Sequence, residues 1–305
     1  MKRVAMTLVM LAVAAFAAAQ QPAPAPKNQP AATPATTQQG SAAPAPPQGK
    51  RPPQAKTQPE YDAFNAAMAN QKDTAVLEKA ADDFAAKYPD SELRALLYKA
   101  AMRNYQSVNN GDKMSEMAEK LLKLDPDDPE ALVAASEVIA ERTRSTDLDK
   151  DQRYDQAKKY AEHALETVDT DVPIPAGAAQ SQIDAYKGLL RSSAYSVLGT
   201  IEYGQEKYPD AESYFRKSID AYPAQPDPVV MLRLALSLDK QARYPDALKE
   251  ANRAVELTQE GTAAGTTARH ERDRLVQLTG GTPGGSSPAP AAKPPASATP
   301  TTTPH

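Results

Sequence analysis

Residues 195–223 read YSVLGTIEYGQEKYPDAESYFRKSIDAYP. Two sets of small and apolar residues flank a short polar break: Tyr195, Leu198 and Gly199 before it, Ala211, Phe215 and Ser218 after it. Spacings of three and four put each set on one face of a helix. Gly199 and Ala211 are small enough to let two helices approach closely, and Tyr195, Leu198 and Phe215 fill the space between them. Tyr208-Pro209-Asp210 suits the turn and the start of the second helix, because proline is tolerated in a first turn and aspartate favours one. Pro223 ends that helix by withholding the next backbone N–H.

This order of residues resembles the tetratricopeptide repeat (TPR), a helix–turn–helix unit of about 34 residues. One place departs from the family pattern. Tyrosine is expected three residues after Gly199, and Glu202 stands there, with Tyr203 one later. The pattern recurs downstream, where Leu234-Ala235 replaces Leu-Gly and Tyr244-Pro245-Asp246-Ala247 repeats Tyr208-Pro209-Asp210-Ala211 residue for residue. Ala251 and Ala254 follow. Upstream, Lys120-Leu121-Leu122-Lys123-Leu124-Asp125-Pro126 resembles the closing segment of a repeat whose first helix carries Tyr98 and Tyr105. Pro129-Glu130-Ala131 opens another unit, closed by Ala157, Ala161 and Ala164. The least regular unit holds Tyr61, Phe64, Met68, Leu77, Ala81, Phe84 and Lys87-Tyr88-Pro89. A lone helical hairpin cannot bury its apolar face, so such units stack. The resemblance implies an all-α, right-handed α-solenoid of about five hairpins between Pro59 and Gln259. A polar helix from Thr266 to Leu278 would cap it.

Two interruptions fall mid-array. The turn of the third hairpin is enlarged by Arg144 through Arg153, and residues 168–180, with Pro173 and Pro175, separate the third hairpin from the fourth. Ser181-x-x-Asp184 has the form of a capping box. Ile183, Tyr186, Leu189 and Leu190 then continue at helical spacing, so the next helix starts early and runs about 23 residues to Tyr203.

The ends differ in kind. Lys2 and Arg3 precede an uncharged, largely apolar run from Val4 to Ala19, closed by Ala17-Ala18-Ala19, as in a cleaved secretory signal peptide. That predicts a periplasmic or secreted protein with no stable membrane anchor after cleavage. Residues 20–58, rich in Pro, Ala and Gln, read as a disordered basic linker, and 280–305, rich in Pro, Ser, Thr and Ala, as a disordered tail. The repeat domain is then 59–279. All 39 acidic residues fall between Glu60 and Asp273, against 27 of the 35 basic ones, so that span carries a net charge near −12. The arm after the signal holds Lys27, Lys50, Arg51 and Lys56 and no acid. An acidic array repels phosphates and argues against nucleic acid. The basic arm suits an anionic cell-wall polymer.

Catalytic chemistry has little to work with. The chain has no cysteine, and its three histidines, His163, His270 and His305, lie far apart. No phosphate loop, dinucleotide fingerprint or serine elbow occurs. Asp147-Leu148-Asp149-Lys150-Asp151 alternates like a calcium loop, but Gln152 and Lys158 stand where glycine and the closing glutamate belong. The sequence therefore predicts a non-enzymatic protein with no cofactor and no metal.

The TPR resemblance also implies where a partner sits: on the concave surface lined by first helices, as an extended peptide or helix. The inward positions are Lys99, Arg103 and Gln106 in the second hairpin, Glu137 and Glu141 in the third, Thr200 and Tyr203 in the fourth, and Leu236 and Asp239 in the fifth. Lys99 and Arg103, one helical turn apart, would form a positive spot suited to a carboxylate. The carboxylate clamp of chaperone-binding family members is not reproduced, since Arg103 replaces its asparagine and the third hairpin offers Glu137. The expected function is a protein-interaction scaffold in the cell envelope. The alternative is an envelope organiser whose basic arm holds the polymer while the repeats act as spacer. The region from Glu137 to Tyr203, where the stack changes geometry, is expected to carry specificity.

Overall fold

The structure is a computed structural model that describes residues 50–175 and 177–280. The signal-peptide reading of 1–19, the linker up to residue 49 and the tail from 281 lie outside the described residues. Eleven α-helices and no strand longer than an isolated bridge make up the described part. They pair as five antiparallel hairpins: α1 (Gln58–Met68) with α2 (Thr74–Lys87), α3 (Leu93–Ser107) with α4 (Gly111–Leu122), and α5 (Pro129–Arg142) with α6 (Lys150–Thr167). Then come α7 (Gln180–Gly204) with α8 (Tyr208–Ala221), α9 (Pro228–Lys240) with α10 (Tyr244–Glu256), and α11 (Ala263–Leu278) closes the array.

Local chemistry sets the boundaries. Side chains of Thr57, Asp73, Asn110, Asp128, Asp227 and Thr262 each accept a hydrogen bond from a first-turn N–H of the helix they precede. Pro209 and Pro245 occupy the first turns of α8 and α10, as the Tyr-Pro-Asp repeats predict. Three hairpin turns share one construction. Asn109, Glu206 and Ala242, each two residues ahead of a second helix, adopt φ between 55° and 62°. The N–H of the next residue then bonds back five positions: Asn110 to Tyr105, Lys207 to Glu202 and Arg243 to Leu238, at 2.9–3.0 Å.

Close packing follows the small residues. A Cβ on Gly199 would lie 2.6 Å from the Phe215 ring, and both Phe215 and Ala211 are fully buried. Burying a phenylalanine contributes roughly 1.5–3 kcal/mol, so this contact is a principal tie between α7 and α8. The core is a chain of clusters. One runs from Phe64 to Val138, another joins Tyr154 to Ile201, and a third joins Ala211 to Leu275. First helices meet one another (α1 with α3, α5 with α7, α7 with α9, α9 with α11), whereas second helices make no comparable contact. The first helices therefore lie on the inside of the curve.

Four details differ from the sequence reading. Helix α7 starts at Gln180 after Ala179, and Ser181 is not its cap; Asp184 instead accepts from the Gln180 amide at 2.8 Å. The enlarged turn ends at Asp149, because Lys150 through Arg153 already belong to α6. The closing helix begins three residues earlier than expected, at Ala263, capped by Thr262. Lys50–Thr57, read as linker, lie against the helices instead. Their charges meet Asp90, Glu92 and Asp125 at inter-hairpin loops, and Ala55 joins the first core cluster.

Candidate partner-binding face

The inner face is crossed by ion pairs that link one first helix to the next. Arg103 on α3 donates from Nε and Nη2 to both oxygens of Glu130 on α5, at 2.5 and 2.7 Å. Tyr186, on the early part of α7, donates its hydroxyl to Glu130 at 2.5 Å. Burial alone would raise the Glu130 carboxyl, but Arg103, Lys99 and Tyr186 outweigh it and hold it down at about 2. Lys99 is buried and pairs with Asp128, the residue that caps α5.

Farther along, Arg233 on α9 donates to Thr200 Oγ1 on α7 and to Glu141 on α5, each at 3.0 Å. At the end, Asp239 on α9 pairs with Arg274 on α11 at 2.7 Å. Tyr203 packs edge-on against Tyr208, centroids 5.4 Å apart. Burial raises its hydroxyl, and Tyr208, Asp239 and Glu271 add to the rise.

Two carboxylates between these links are not satisfied. Glu137 is half-buried on α5 one turn before Glu141, and its carboxylate makes no hydrogen bond or ion pair with any described residue. Burial pushes its carboxyl up to about 7; Glu141 and Asp227 add repulsion that Arg233 offsets only in part. Asp227 accepts from Val229 N–H at 2.7 Å through one oxygen, while its other oxygen is buried without a partner. Burial raises this carboxyl as well. Here three acids face one guanidinium, so this stretch is short of positive charge.

The structure brings Glu137, Glu141 and Thr200 together around Arg233. It places Lys99 and Arg103 in a second group, and Tyr203 with Asp239 near the closing helix. The positive spot expected from Lys99 and Arg103 is not free, because Asp128 and Glu130 already occupy both cations. Leu236 packs with Met231, Leu232, Ala254 and Ala268 and serves the core. Gln106, near the end of α3, makes no side-chain hydrogen bond among the described residues. Sequence reading missed Glu130, Tyr186, Asp227 and Arg233. Arg233 stands three residues before Leu236 on the same helical face, a spacing that pointed to it.

No family model matches the chain, and no curated protein matches it. Among solved structures it is similar to PilF of Pseudomonas aeruginosa, at 17% identity over 72% of this chain and 84% of that one, with a TM-score of 0.49. It is similar to MamA of Desulfovibrio magneticus RS-1, at 14% identity over 67% and 97%, TM-score 0.46. A thermophilic TPR protein of Thermus thermophilus shares 13% identity over 70% and 98%, TM-score 0.44. Likenesses at this level carry no functional argument, and the stacked hairpins stand on this chain's own geometry.

Proposed function

We propose that the protein is a non-enzymatic scaffold of the cell envelope that binds an extended protein or peptide partner along its inner face, between α5, α7 and α9. Glu137 carries this reading. Burying a carboxylate without a partner costs stability, and every other charged residue of the predicted inner set has found an internal partner. A lysine or arginine from a partner would supply the missing charge beside Glu137 and Asp227. The envelope location is supported by the N-terminal Lys2-Arg3 and the apolar run to Ala19, and no helix among the described residues is long and apolar enough to cross a membrane.

Selection of extended peptides from a random library on the repeat domain tests this. A lysine or arginine should be enriched at one position, and the enrichment should vanish with Glu137→Gln. Affinity should fall between pH 8 and pH 6, as Glu137 takes up a proton. An unchanged selection with Glu137→Gln would overturn the proposal. A second reading, favoured by the basic arm, assigns binding to residues 20–58 and makes the array a spacer. Sedimentation with purified peptidoglycan, lost on deletion of 20–58, would establish that reading in its place.

A further inference from the structure

Residues 50–56 cross the inter-hairpin loops on one edge of the array. Lys56 donates from Nζ to the Asp90 carbonyl at 2.7 Å, in the loop between α2 and α3. Arg51 donates to both oxygens of Glu92, at 2.9 and 2.6 Å, and the Gln54 N–H reaches the same carboxylate at 3.3 Å. Lys50 then bonds Asp125, between α4 and α5, at 2.6 Å and lies 3.7 Å from Asp171, between α6 and α7. Its carbonyl accepts from Ile174 N–H at 3.4 Å, and Lys50 and Pro173 form an isolated parallel bridge.

We infer that residues 50–56 are an electrostatic strap that ties the first three hairpins together along their loop edge, and that an anionic polymer taking up its cations releases it. Three successive loops are touched in order by one extended segment. Ala55 packs against the first core cluster; the contacts of Lys50, Arg51, Gln54 and Lys56 with the loops are charged or polar. The Arg51 side chain is 64% exposed and Glu92 41%. Exposed pairs of this kind are individually weak and screened by salt, so the strap opens without unfolding the helices beneath it. Lys50, Arg51 and Lys56 are also three of the four cations of the arm. They cannot serve the loop carboxylates and a polyanion at once, so strap closure and polymer binding oppose each other reciprocally.

Amide hydrogen exchange on the full chain tests this, with Ile174 as reporter and sodium polyphosphate as probe. Lys50→Gln/Arg51→Gln should speed Ile174 exchange severalfold at low salt and leave α9 and α10 unchanged. Polyphosphate should do the same to the wild type. Glu92→Gln/Asp125→Asn, which frees the cations, should bind polyphosphate severalfold more tightly. Equal Ile174 exchange in Lys50→Gln/Arg51→Gln and wild type, or equal polyphosphate affinity in Glu92→Gln/Asp125→Asn and wild type, would overturn it.

Discussion

Two residues show opposite relations between stability and use. Gly199 is where α7 and α8 touch, and any larger side chain must displace the Phe215 ring. Gly199→Ala should cost about 1–3 kcal/mol by overpacking, and Phe215→Leu in the same chain should recover part of it, measured as a double-mutant cycle in urea. Glu137 is a residue the fold would be steadier without. Its folded pKa of about 7 stands above the ordinary 4.5, so the native state holds the extra proton between those values. Stability therefore falls as pH rises through that window, and the penalty is fully present above pH 7. It amounts to at most ~3 kcal/mol. Glu137→Gln should raise stability by about 1–3 kcal/mol at pH 8 and change little at pH 4; an equal gain at both pH values would refute the assignment. Gly199 was legible in the sequence because its partner lies within the same hairpin. The pairing of Glu141 with Arg233 spans 92 positions, and no local spacing encodes it. Lys99 and Arg103 were misread for the same reason: their carboxylates arrive from the next hairpin.

Helices were legible where capping and periodicity agreed, and their ends were missed where tertiary contact overrode local signals. Helix α7 lacks a side-chain cap at Ala179. Its early turns are held instead by Tyr186 on Glu130 and by the Lys187 amine on the Asp169 carbonyl at 2.7 Å. Both anchors come from other elements, so the Ser181 motif misled. The hairpin turns carry a cost the sequence did not reveal. Glu206 and Ala242 sit in the left-handed region that glycine favours, because the turn needs its back-bond to Glu202 or Leu238. A non-glycine residue there costs roughly 1–2 kcal/mol, and glycine gives up part of that gain in unfolded-chain entropy. Ala242→Gly should therefore stabilise the chain by up to about 1 kcal/mol, read as a higher urea midpoint with an unchanged slope. A lower midpoint would show that the turn is not strained.

Across the whole molecule, the clusters decide how far a local loss travels. Among the described residues, helix α11 packs mainly on α10 and α9. Leu275 completes the cluster of Ala211, Phe215, Leu234 and Ala251, and Ala268 completes that of Met231, Leu232 and Ala254. Truncation after Gln259 uncovers both clusters and removes Arg274 from Asp239. In a stack of nearest-neighbour interfaces, stability is a sum of local terms. Amide protection in α9 and α10 should then fall steeply, and α8 should follow because Ala211 and Phe215 share the first of those clusters. The cluster from Phe64 to Val138 contains no residue beyond α5 except partly buried Tyr160 of α6, so α3 and α4 should keep their protection. Helix α7 is where the loss should stop. It packs on α5 as well as α8 and α9, and its early turns are fastened to Glu130. A uniform fall in protection from α1 to α10 would mean that the ion pairs of the inner face weld the array into one cooperative unit, with Arg233 and Glu141 as the link to cut next.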